Sequence, residues 1–574
     1  MKLLSLHCDY ISFKPLKKAL KSVEELSEKE KKGSKIDEVL VVLTAVEKGD
    51  EIVNSVKEFV KNVEDIAKQV KVKNIVLYPY AHLSSDLASP EIAVDILKNA
   101  EKELKKTFNV VRAPFGYYKE FELKVKGHPL SELSREIGVI PSHPTQKRII
   151  LKEEQINYKN LLREISKTKL DTSKLKENDH RILGQQMNLF SFSEAAPGMV
   201  FWHNNGLIIK NELIEFWREV HKENDYQEVS TPQILDDKLW KISGHWEKYR
   251  DNIFLTEYEK RGFAVKPMNC PGGILIFKNK PKSYKELPLR VGELGIVHRQ
   301  ELSGVLGGLF RVIQFTQDDA HIYCTEKQME DELIGVVNLA IFFYNKFGLK
   351  IDHIELSTRP EKRIGSDDVW DIAEKTLEKV LKKTKIKFSI NKGEGAFYGP
   401  KIDFHIKDSL NRNWQCATIQ LDFAMPERFE LEYIDKDSKR KRPVMIHRTI
   451  YGSLERFIGI LLEHTNGRLP TWLAPVQVRV LSFTDRNKEY AKKIIKELEE
   501  KILDLRIDCD FESTTVQSKV KDAELMRVPY IIVVGDKEEK DKTIAVRIKG
   551  DGKIKNFGVE EFAERLKDEV KERK

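Results

Sequence analysis

The sequence predicts a multidomain protein of mixed α/β and α+β class. Its 574 residues exceed what one hydrophobic core usually serves, so we expect roughly three or four domains. Short apolar runs alternate with helical patterns at both ends, whereas the middle is longer and more mixed. Proline and polar stretches divide the chain into a first domain at 1–140, a linker at 141–189, a central domain at 190–472 and a last domain at 473–574.

The first domain has the alternation of strands and helices that is typical of an α/β fold. Runs rich in Val, Leu and Ile predict buried strands, and apolar residues at helical spacing predict amphipathic helices. Ser89 and Pro90 are typical of a helix N-cap and first turn. The predicted elements are strands at 3–6, 39–43, 74–80 and 108–113, a helix at 52–66 and a helix beginning at 90.

The remaining elements follow from the same patterns. The central domain is predicted to contain helices at 212–220 and 326–347 and a strand at 388–391. The last domain is predicted to be a small α/β unit with strands at 476–483, 506–511 and 530–534 and a helix at 487–501.

Composition excludes some classes of protein. No apolar run approaches the ~18 residues of a membrane span, and the N-terminal sequence lacks the pattern of a signal peptide, so we expect a cytoplasmic protein with no membrane association. Five widely separated cysteines indicate no disulfide framework. The formal net charge of +8 is compatible with a polyanionic partner but is also common without one.

Three residues are candidate ligands of a zinc ion, namely Cys270, His321 and His447. Zinc binds Cys and His side chains, and a site that takes substrate typically has three protein ligands and one open position. Their spacing alone is also compatible with unrelated core residues.

A second pattern predicts two strands joined by a glycine-rich loop within residues 295–319. On a strand, Arg299 and Glu301 share one face. A guanidinium suited to phosphate would then lie beside a carboxylate that accepts from an amino group. The alternative is a surface hairpin with an ion pair.

Ordered motifs then identify a family. Residues 226–232, 295–319 and 452–464 resemble motifs 1, 2 and 3 of the class II aminoacyl-tRNA synthetases. Residues 196–203, 243–246, 268–272, 315–321 and 397–401 are similar to the threonyl-tRNA synthetases in particular. The resemblance implies a central catalytic core built on an antiparallel sheet.

The resemblance also implies roles for individual residues. In that family, the residues that match Cys270, His321 and His447 hold one zinc ion per subunit, which binds the amino and hydroxyl groups of threonine. Recognition of the hydroxyl rejects valine strongly, by factors of about 10⁴ or more. Serine differs by one methyl group, worth only ~1–3 kcal/mol, so a second, hydrolytic filter is expected.

The ATP and threonine sites are implied in the same way. Matching positions suggest that Arg299 binds the α-phosphate of ATP, Glu301 reads the adenine amino group and Phe315 stacks on the base. Arg311 and Arg456 would bind the outer phosphates of ATP, which carries Mg²⁺. Gln317 and Asp319 would surround threonine, in a pocket lined by Tyr398, Lys401, Gln415 and Gln420, with Gln415 also near ATP. His245 would lie near the end of the tRNA. Arg299, Arg456, His245 and Lys401 would take part in catalysis.

The first domain resembles the archaeal editing domain, which is related to the D-aminoacyl-tRNA deacylases, through residues 7–10, 78–84, 113–119 and 126–135. This resemblance implies that His82, Tyr118, Lys119 and Glu132 line a site that hydrolyses seryl-tRNA. Cys8 is expected to be a packed core thiol, and a water molecule assisted by Lys119 and the terminal ribose hydroxyl would attack the ester. Alternatively, the domain only docks tRNA.

The last domain resembles the anticodon-binding domain of class II enzymes through residues 473–478 and 527–537, but it differs at 512–519, where an arginine and a glycine are usual.

The resemblances together imply an ATP-dependent ligase that joins L-threonine to tRNA(Thr). They also imply a homodimer paired through motif 1. The alternative is a catalytically silent relative that binds tRNA or mRNA as a regulator. Retention of Arg299, Arg456 and the three candidate zinc ligands argues against it.

Overall fold

The computed structural model describes residues 1–137 except 21, 22, 24, 49 and 85, residues 158–165, and residues 175–573 except 551 and 552. These residues fall into two compact units, within Met1–Arg148 and Ile149–Lys574. Much of the linker predicted at 141–189 lies outside the described residues. Leu183, Met187 and Leu189, at its end, are buried in the core of the second unit. No helix in the described ranges is long and apolar enough to cross a membrane.

The first unit is an α/β domain with one six-stranded sheet. Its elements are β1 (Lys2–Lys18), α1 (Glu28–Lys31), β2 (Ser34–Ala45), α2 (Ile52–Val70), β3 (Asn74–Pro79), α3 (Pro90–Leu104), β4 (Asn109–Arg112), β5 (Tyr117–Val125) and β6 (Glu132–Glu136). The strand order is β4-β3-β2-β1-β5, and β6 also pairs with β1. The predicted strands and helices of this domain are all confirmed.

Burial explains this order. β2, β3 and β4 run parallel, and Val39–Val42 of β2 is buried because the sheet is covered on both faces. Phe59, Val63 and Ile66 of α2 lie one turn apart and pack into that core. β5 and β6 lack a continuous apolar run, so the sequence pattern did not predict them.

The central part of the second unit contains an eight-stranded sheet. Before and within it lie α4 (Tyr158–Ile165), α5 (His180–Gln186), β7 (Phe190–Ser191), β8 (Phe201–Trp202), α6 (Asn204–Glu223), β9 (Tyr226–Glu228), β10 (Ile234–Asp236), α7 (Asp237–Ser243), α8 (His245–Tyr249), β11 (Leu255–Tyr258), β12 (Arg261–Val265), α9 (Cys270–Lys278), β13 (Lys282–Ser283), β14 (Leu289–His298) and β15 (Gln314–Cys324). They are followed by α10 (Met329–Lys346), β16 (Lys350–Ser357), α11 (Asp367–Lys383), β17 (Ser389–Asn391), β18 (Lys401–Lys407), β19 (Asn413–Asp422), α12 (Ala424–Arg428), β20 (Tyr433–Ile434), β21 (Arg440–Lys441), β22 (Val444–Thr449) and α13 (Leu454–Thr465).

One face of this sheet is covered by helices and the other carries polar residues. Ile402, Phe404 and Ile406 of β18 pack into the helix-covered core, whereas Lys401 and Asp403 alternate to the opposite face. The strand order is β17-β16-β18-β19-β22-β15-β14-β9. The sheet is antiparallel except for β9 against β14 and β16 against β17. Its polar face holds the candidate site.

The C-terminal part contains a five-stranded sheet. Its elements are β23 (Val478–Ser482), α14 (Lys488–Lys501), β24 (Ile507–Asp510), α15 (Val516–Leu525), β25 (Tyr530–Val534), α16 (Asp536–Asp541), β26 (Thr543–Ile548), β27 (Ile554–Gly558) and α17 (Val559–Lys571). The strand order is β24-β23-β25-β26-β27. The first three strands in sequence are parallel, and α14 and α17 pack on one core with them. The predicted small α/β unit is confirmed.

Candidate functional site

Two adjoining cavities open on the polar face of the eight-stranded sheet. Their volumes are about 560 and 400 Å³. Four side chains border both cavities: Arg299, Gln317, Gln415 and Thr418. A molecule in one cavity therefore meets a molecule in the other at these residues.

The candidate metal ligands converge at the floor of the larger cavity. His321 on β15 and His447 on β22 are directly opposed in the strand register, and Cys270 begins α9. Their ligand atoms all lie within 4.8 Å of one another, and all three residues are buried. The three predicted residues are thus together in space, and Cys270 and His447 line the cavity.

The chemistry of this cluster fits a zinc ion. The Nε2 atom of His321 is buried and has no hydrogen-bond partner among the described residues. Nε2 of His447 contacts Oδ2 of Asp422 at 2.8 Å, which leaves the other ring nitrogen for a metal. The pKa of the Cys270 thiol is raised, mainly by burial and further by the Asp319 and Asp422 carboxylates. A thiolate at this position therefore needs a cation beside it. Three protein ligands would leave the fourth position of a tetrahedral zinc ion open.

The residues predicted for threonine surround the same cavity. Gln317, Asp319, Tyr398, Lys401 and Gln420 all line it. The Tyr398 hydroxyl donates to Oε1 of Gln420 at 2.6 Å, which holds both side chains in place. Burial raises the pKa of Asp319 to about 7.

The smaller cavity holds the residues predicted for ATP. Arg299, Glu301, Arg311, Phe315 and Arg456 line it together with Gln415. The Arg299 guanidinium lies 5.1 Å from the centre of the Phe315 ring. Nε of Arg456 donates to the Phe310 carbonyl at 2.9 Å, and burial lowers the pKa of Arg456, although a guanidinium remains charged. The cavity is therefore lined by three cations.

The predicted hairpin is confirmed, but the predicted placement of Arg299 and Glu301 on one strand is wrong. β14 ends at His298, so both residues lie in the loop that leads to β15. Nη2 of Arg311 lies 2.8 Å from Oε2 of Glu301, and this ion pair holds Glu301 at the cavity wall. The loop conformation rather than strand alternation brings the pair into the site.

Sequence reasoning missed Asp403, which organises the wall between the two cavities. Its carboxylate accepts from Lys401 at 2.7 Å, from Gln415 at 2.6 Å and from Thr418 at 3.1 Å. Asp403 follows Lys401 by two residues on β18 and shares its face. That alternation was the signal available in the sequence.

His245 lies behind the larger cavity and does not line it. It is fully buried, its Nδ1 contacts the Ser243 hydroxyl at 2.8 Å, and its ring packs 5.4 Å from that of Phe397. Burial lowers its pKa to about 3, so the imidazole is neutral. His245 thus supports the Phe397–Tyr398 wall.

The first unit has a cavity of its own, of about 560 Å³. His82, Tyr118 and Lys119 line it, whereas Glu132 is an exposed residue of β6, paired in register with Leu6, and does not. Cys8 is buried and burial raises its pKa to about 11, as expected for a packed thiol. The structure thus brings three of the four predicted editing residues together.

Lys119 is the charged group of that cavity. Its Nζ donates to the carbonyls of Pro114 at 2.9 Å and Tyr117 at 3.1 Å, and lies 5.1 Å from the Tyr78 ring centre. Burial lowers the pKa of Lys119 to about 8 and raises that of Tyr78 to about 12. The ammonium retains one proton for a further acceptor.

Three family models match the chain. Residues 1–137 match the Archaea-specific editing domain of threonyl-tRNA synthetase. Residues 254–465 match the class II tRNA synthetase core domain shared by the glycine, histidine, proline, serine and threonine enzymes. Residues 477–569 match an anticodon-binding domain.

Individual relatives of the chain carry the name of the same family. Proteins named threonine–tRNA ligase from Desulforamulus reducens and Caldanaerobacter subterraneus subsp. tengcongensis are each 51% identical over 395 residues, which is 69% of this chain. The match spans 62% and 61% of the length of these two relatives.

Solved structures agree as well. One, described as the RNA-binding domain of threonyl-tRNA synthetase from Cryptosporidium parvum, superposes with a TM-score of 0.65 at 39% identity and covers 68% of this chain and 98% of that one. Another, described as a threonyl-tRNA synthetase from Aeropyrum pernix, gives 0.61 at 31% identity and covers 69% of this chain and 96% of that one.

Proposed function

The chain belongs to the threonyl-tRNA synthetases, and from that membership we propose that it activates L-threonine with ATP and transfers it to the 3′-terminal adenosine of tRNA(Thr). One observation carries the proposal. A buried Cys270–His321–His447 cluster opens onto a cavity that adjoins an arginine-lined cavity, and Arg299 borders both. A silent tRNA-binding relative would need neither cavity.

Recognition of threonine is proposed for the larger cavity. Zn²⁺ bound by Cys270, His321 and His447 would act as a Lewis acid for the amino and hydroxyl groups of the amino acid. Asp319 would accept from the same groups, Gln317 would accept or donate through its amide, and the Tyr398–Gln420 pair would limit the size of the side chain. Valine lacks the hydroxyl and would leave these polar groups unpaired.

Adenylate formation is proposed where the cavities meet. Arg299 would bind the α-phosphate next to the threonine carboxylate, which attacks phosphorus while pyrophosphate leaves. Arg456 and Arg311 would stabilise the charge of the leaving group, together with Mg²⁺ on ATP. Glu301 is free to accept from the adenine amino group once Arg311 leaves it for phosphate.

Lys401 and His245 are proposed to act less directly. The ion pair of Lys401 with Asp403 fixes the wall that contains Gln415, and His245 supports Tyr398 from behind. The 3′ end of tRNA would approach over this wall.

Correction of errors is proposed for the cavity of the first unit. Lys119 would stabilise the oxyanion that forms when water, assisted by the terminal ribose hydroxyl, attacks the ester of seryl-tRNA(Thr), and His82 and Tyr118 would bind the terminal adenosine. The unit would thus remove the serine that the synthetic site cannot reject.

We also propose a cytoplasmic homodimer that uses motif 1 as its interface and the C-terminal sheet as its contact with tRNA. Sedimentation of the purified chain tests the dimer. A monomer at micromolar concentration would contradict it.

Threonine-dependent exchange of pyrophosphate into ATP tests the main proposal. The wild-type chain should catalyse exchange, and a rate equal to the blank would favour the silent alternative.

Two variants test the role of the metal, His447→Ala and the more conservative Cys270→Ser. Each should lose about one zinc ion, and its exchange rate should fall at least ~10²-fold, as expected when a substrate-binding metal is removed. Undiminished exchange in a variant that lacks this zinc would exclude the proposed role of the metal.

A further inference from the structure

A second cluster of metal-binding side chains lies on the same polar sheet face, away from the Cys270 site. His353 and Glu355 are two residues apart on β16 and therefore point to one face. His405 on β18 is the direct cross-strand partner of His353. Strand register, rather than a loop, thus brings two imidazoles and one carboxylate together.

The distances in this cluster suit a shared cation. All three ligand atoms lie within 4.8 Å of one another. Nε2 of His353 is 3.5 Å from Oε1 of Glu355, and Nε2 of His405 is 3.5 Å from Oε2. Ligands at ~2.0–2.2 Å from a tetrahedral zinc ion are about 3.3–3.6 Å apart.

Neighbouring groups orient the donors. Nδ1 of His353 donates to Oδ2 of Asp352 at 2.8 Å, so Nε2 is the ring nitrogen that remains for a metal. Asn391 donates to Oε2 of Glu355 at 2.8 Å and holds the carboxylate. A carboxylate behind a histidine and an amide behind a carboxylate are the supporting contacts that metal ligands usually have.

His405 gives the strongest indication of a metal site. Its Nε2 is buried and has no hydrogen-bond partner among the residues that the structure describes. The two imidazole rings stack in parallel, with centroids 4.2 Å apart and an angle of 7° between their planes, so one ring would turn about its Cβ–Cγ bond to direct both Nε2 lone pairs at one ion.

We propose that His353, Glu355 and His405 form a second site for a divalent transition-metal ion such as Zn²⁺, Co²⁺ or Ni²⁺. Two imidazoles and one carboxylate select these ions over Mg²⁺ or Ca²⁺, which prefer oxygen ligands. The side chains are 18–37% exposed, so water completes the coordination. His405 is also the cross-strand partner of Gln415, which borders both catalytic cavities. The ion would therefore stabilise the sheet beside the adenylate site.

Zinc content of the full-length chain tests this site. After equilibration with micromolar Zn²⁺ and removal of free metal, the wild type should hold about two zinc ions per chain. His405→Ala and the milder His353→Gln should each hold about one and keep threonine-dependent exchange. His203→Ala, which alters a histidine outside both clusters, should keep two.

Further variants separate the two sites. Cys270→Ser should also hold about one zinc ion but lose exchange, and its combination with His405→Ala should hold none. With Co²⁺ in the Cys270→Ser protein, the visible absorption of the remaining ion should disappear on adding His405→Ala. One zinc ion in the wild type, or two in both His405→Ala and His353→Gln, would overturn the proposal.

Discussion

Asp422 is the residue on which the proposed zinc site depends without supplying a ligand. It contacts Nε2 of His447 at 2.8 Å, and its other oxygen accepts from the backbone N–H groups of Ala424 and Met425. The carboxylate therefore fixes both the ring and the start of α12. Sequence motifs identified the ligand but not this support.

Asp422→Ala should weaken zinc binding by about 10–100-fold, the usual cost of losing the partner of a metal-bound histidine. Competition with a chromogenic chelator measures the change. Asp435→Ala removes a carboxylate outside both metal clusters and serves as control. Equal zinc affinity in the Asp422 variant and the wild type would show that His447 is oriented by other contacts.

Lys119 makes the proposed editing reaction dependent on pH. Its folded pKa of about 8 lies below the ordinary 10.5, so the ammonium is present below pH 8 and is lost as pH rises through 8. The enzymatic hydrolysis of seryl-tRNA should fall about tenfold between pH 7 and pH 9, because one unit above the pKa only ~10% of the amine is charged.

The measurement is the hydrolysis rate after subtraction of the uncatalysed rate. Lys119→Met should be slow at every pH and lack the transition near pH 8. A wild-type rate that rises across this range would assign Lys119 the role of a base instead.

At the scale of elements, one histidine connects three parts of the fold: α5, the loop between β14 and β15, and α13. Nδ1 of His180 contacts Oε1 of Glu463 at 2.6 Å, and its Nε2 accepts the N–H of Leu309 at 2.9 Å. Gly308 makes the contact possible. A Cβ at this residue would lie 2.2 Å from Nε2 of His180, and its φ of +56° disfavours other residues.

Gly308→Ala should therefore shift the loop that carries Arg311 and lower kcat/KM for ATP by up to ~10², the cost of about 1 Å of misplacement. Steady-state exchange with varied ATP measures it. Gly307→Ala is the matched control, because its Cβ would meet nothing within 4 Å. Equal kinetics in the two variants would mean that the loop adjusts without cost.

The elements also show what sequence can predict. Strands with apolar runs, such as β2 and β25, and amphipathic helices such as α2 were predicted because their patterns are local. β5 was not, since its exposed and half-buried residues alternate without an apolar run. The convergence of Cys270 with His321 and His447 depends on strand register over more than a hundred residues, so only the resemblance could predict it.

At the scale of the whole molecule, the two core clusters of the first unit consist, among the residues that the structure describes, of residues 1–137. Deletion of residues 1–140 should therefore leave exchange with threonine intact but allow seryl-tRNA(Thr) to persist. Discrimination against serine would fall to what one methyl group gives, about 10–200-fold.

Misacylation with labelled serine, compared between the deletion and the full chain, measures this effect. The full-length Lys119→Met variant should reproduce it, which separates loss of hydrolysis from loss of tRNA docking. Clearance of seryl-tRNA at the wild-type rate after the deletion would mean that the activity lies in another part of the chain.

Arg299 belongs to both catalytic cavities, and this has a thermodynamic consequence. Whichever substrate binds first would turn the Arg299 guanidinium from its contacts with Phe315 and the Pro267 carbonyl into the orientation that the second substrate also needs, so the cost of orienting that side chain would arise only once. Threonine and ATP should therefore each tighten the binding of the other by the same factor, because such linkage is reciprocal. A single shared side chain would then make the two proposed sites cooperative without any movement of the backbone.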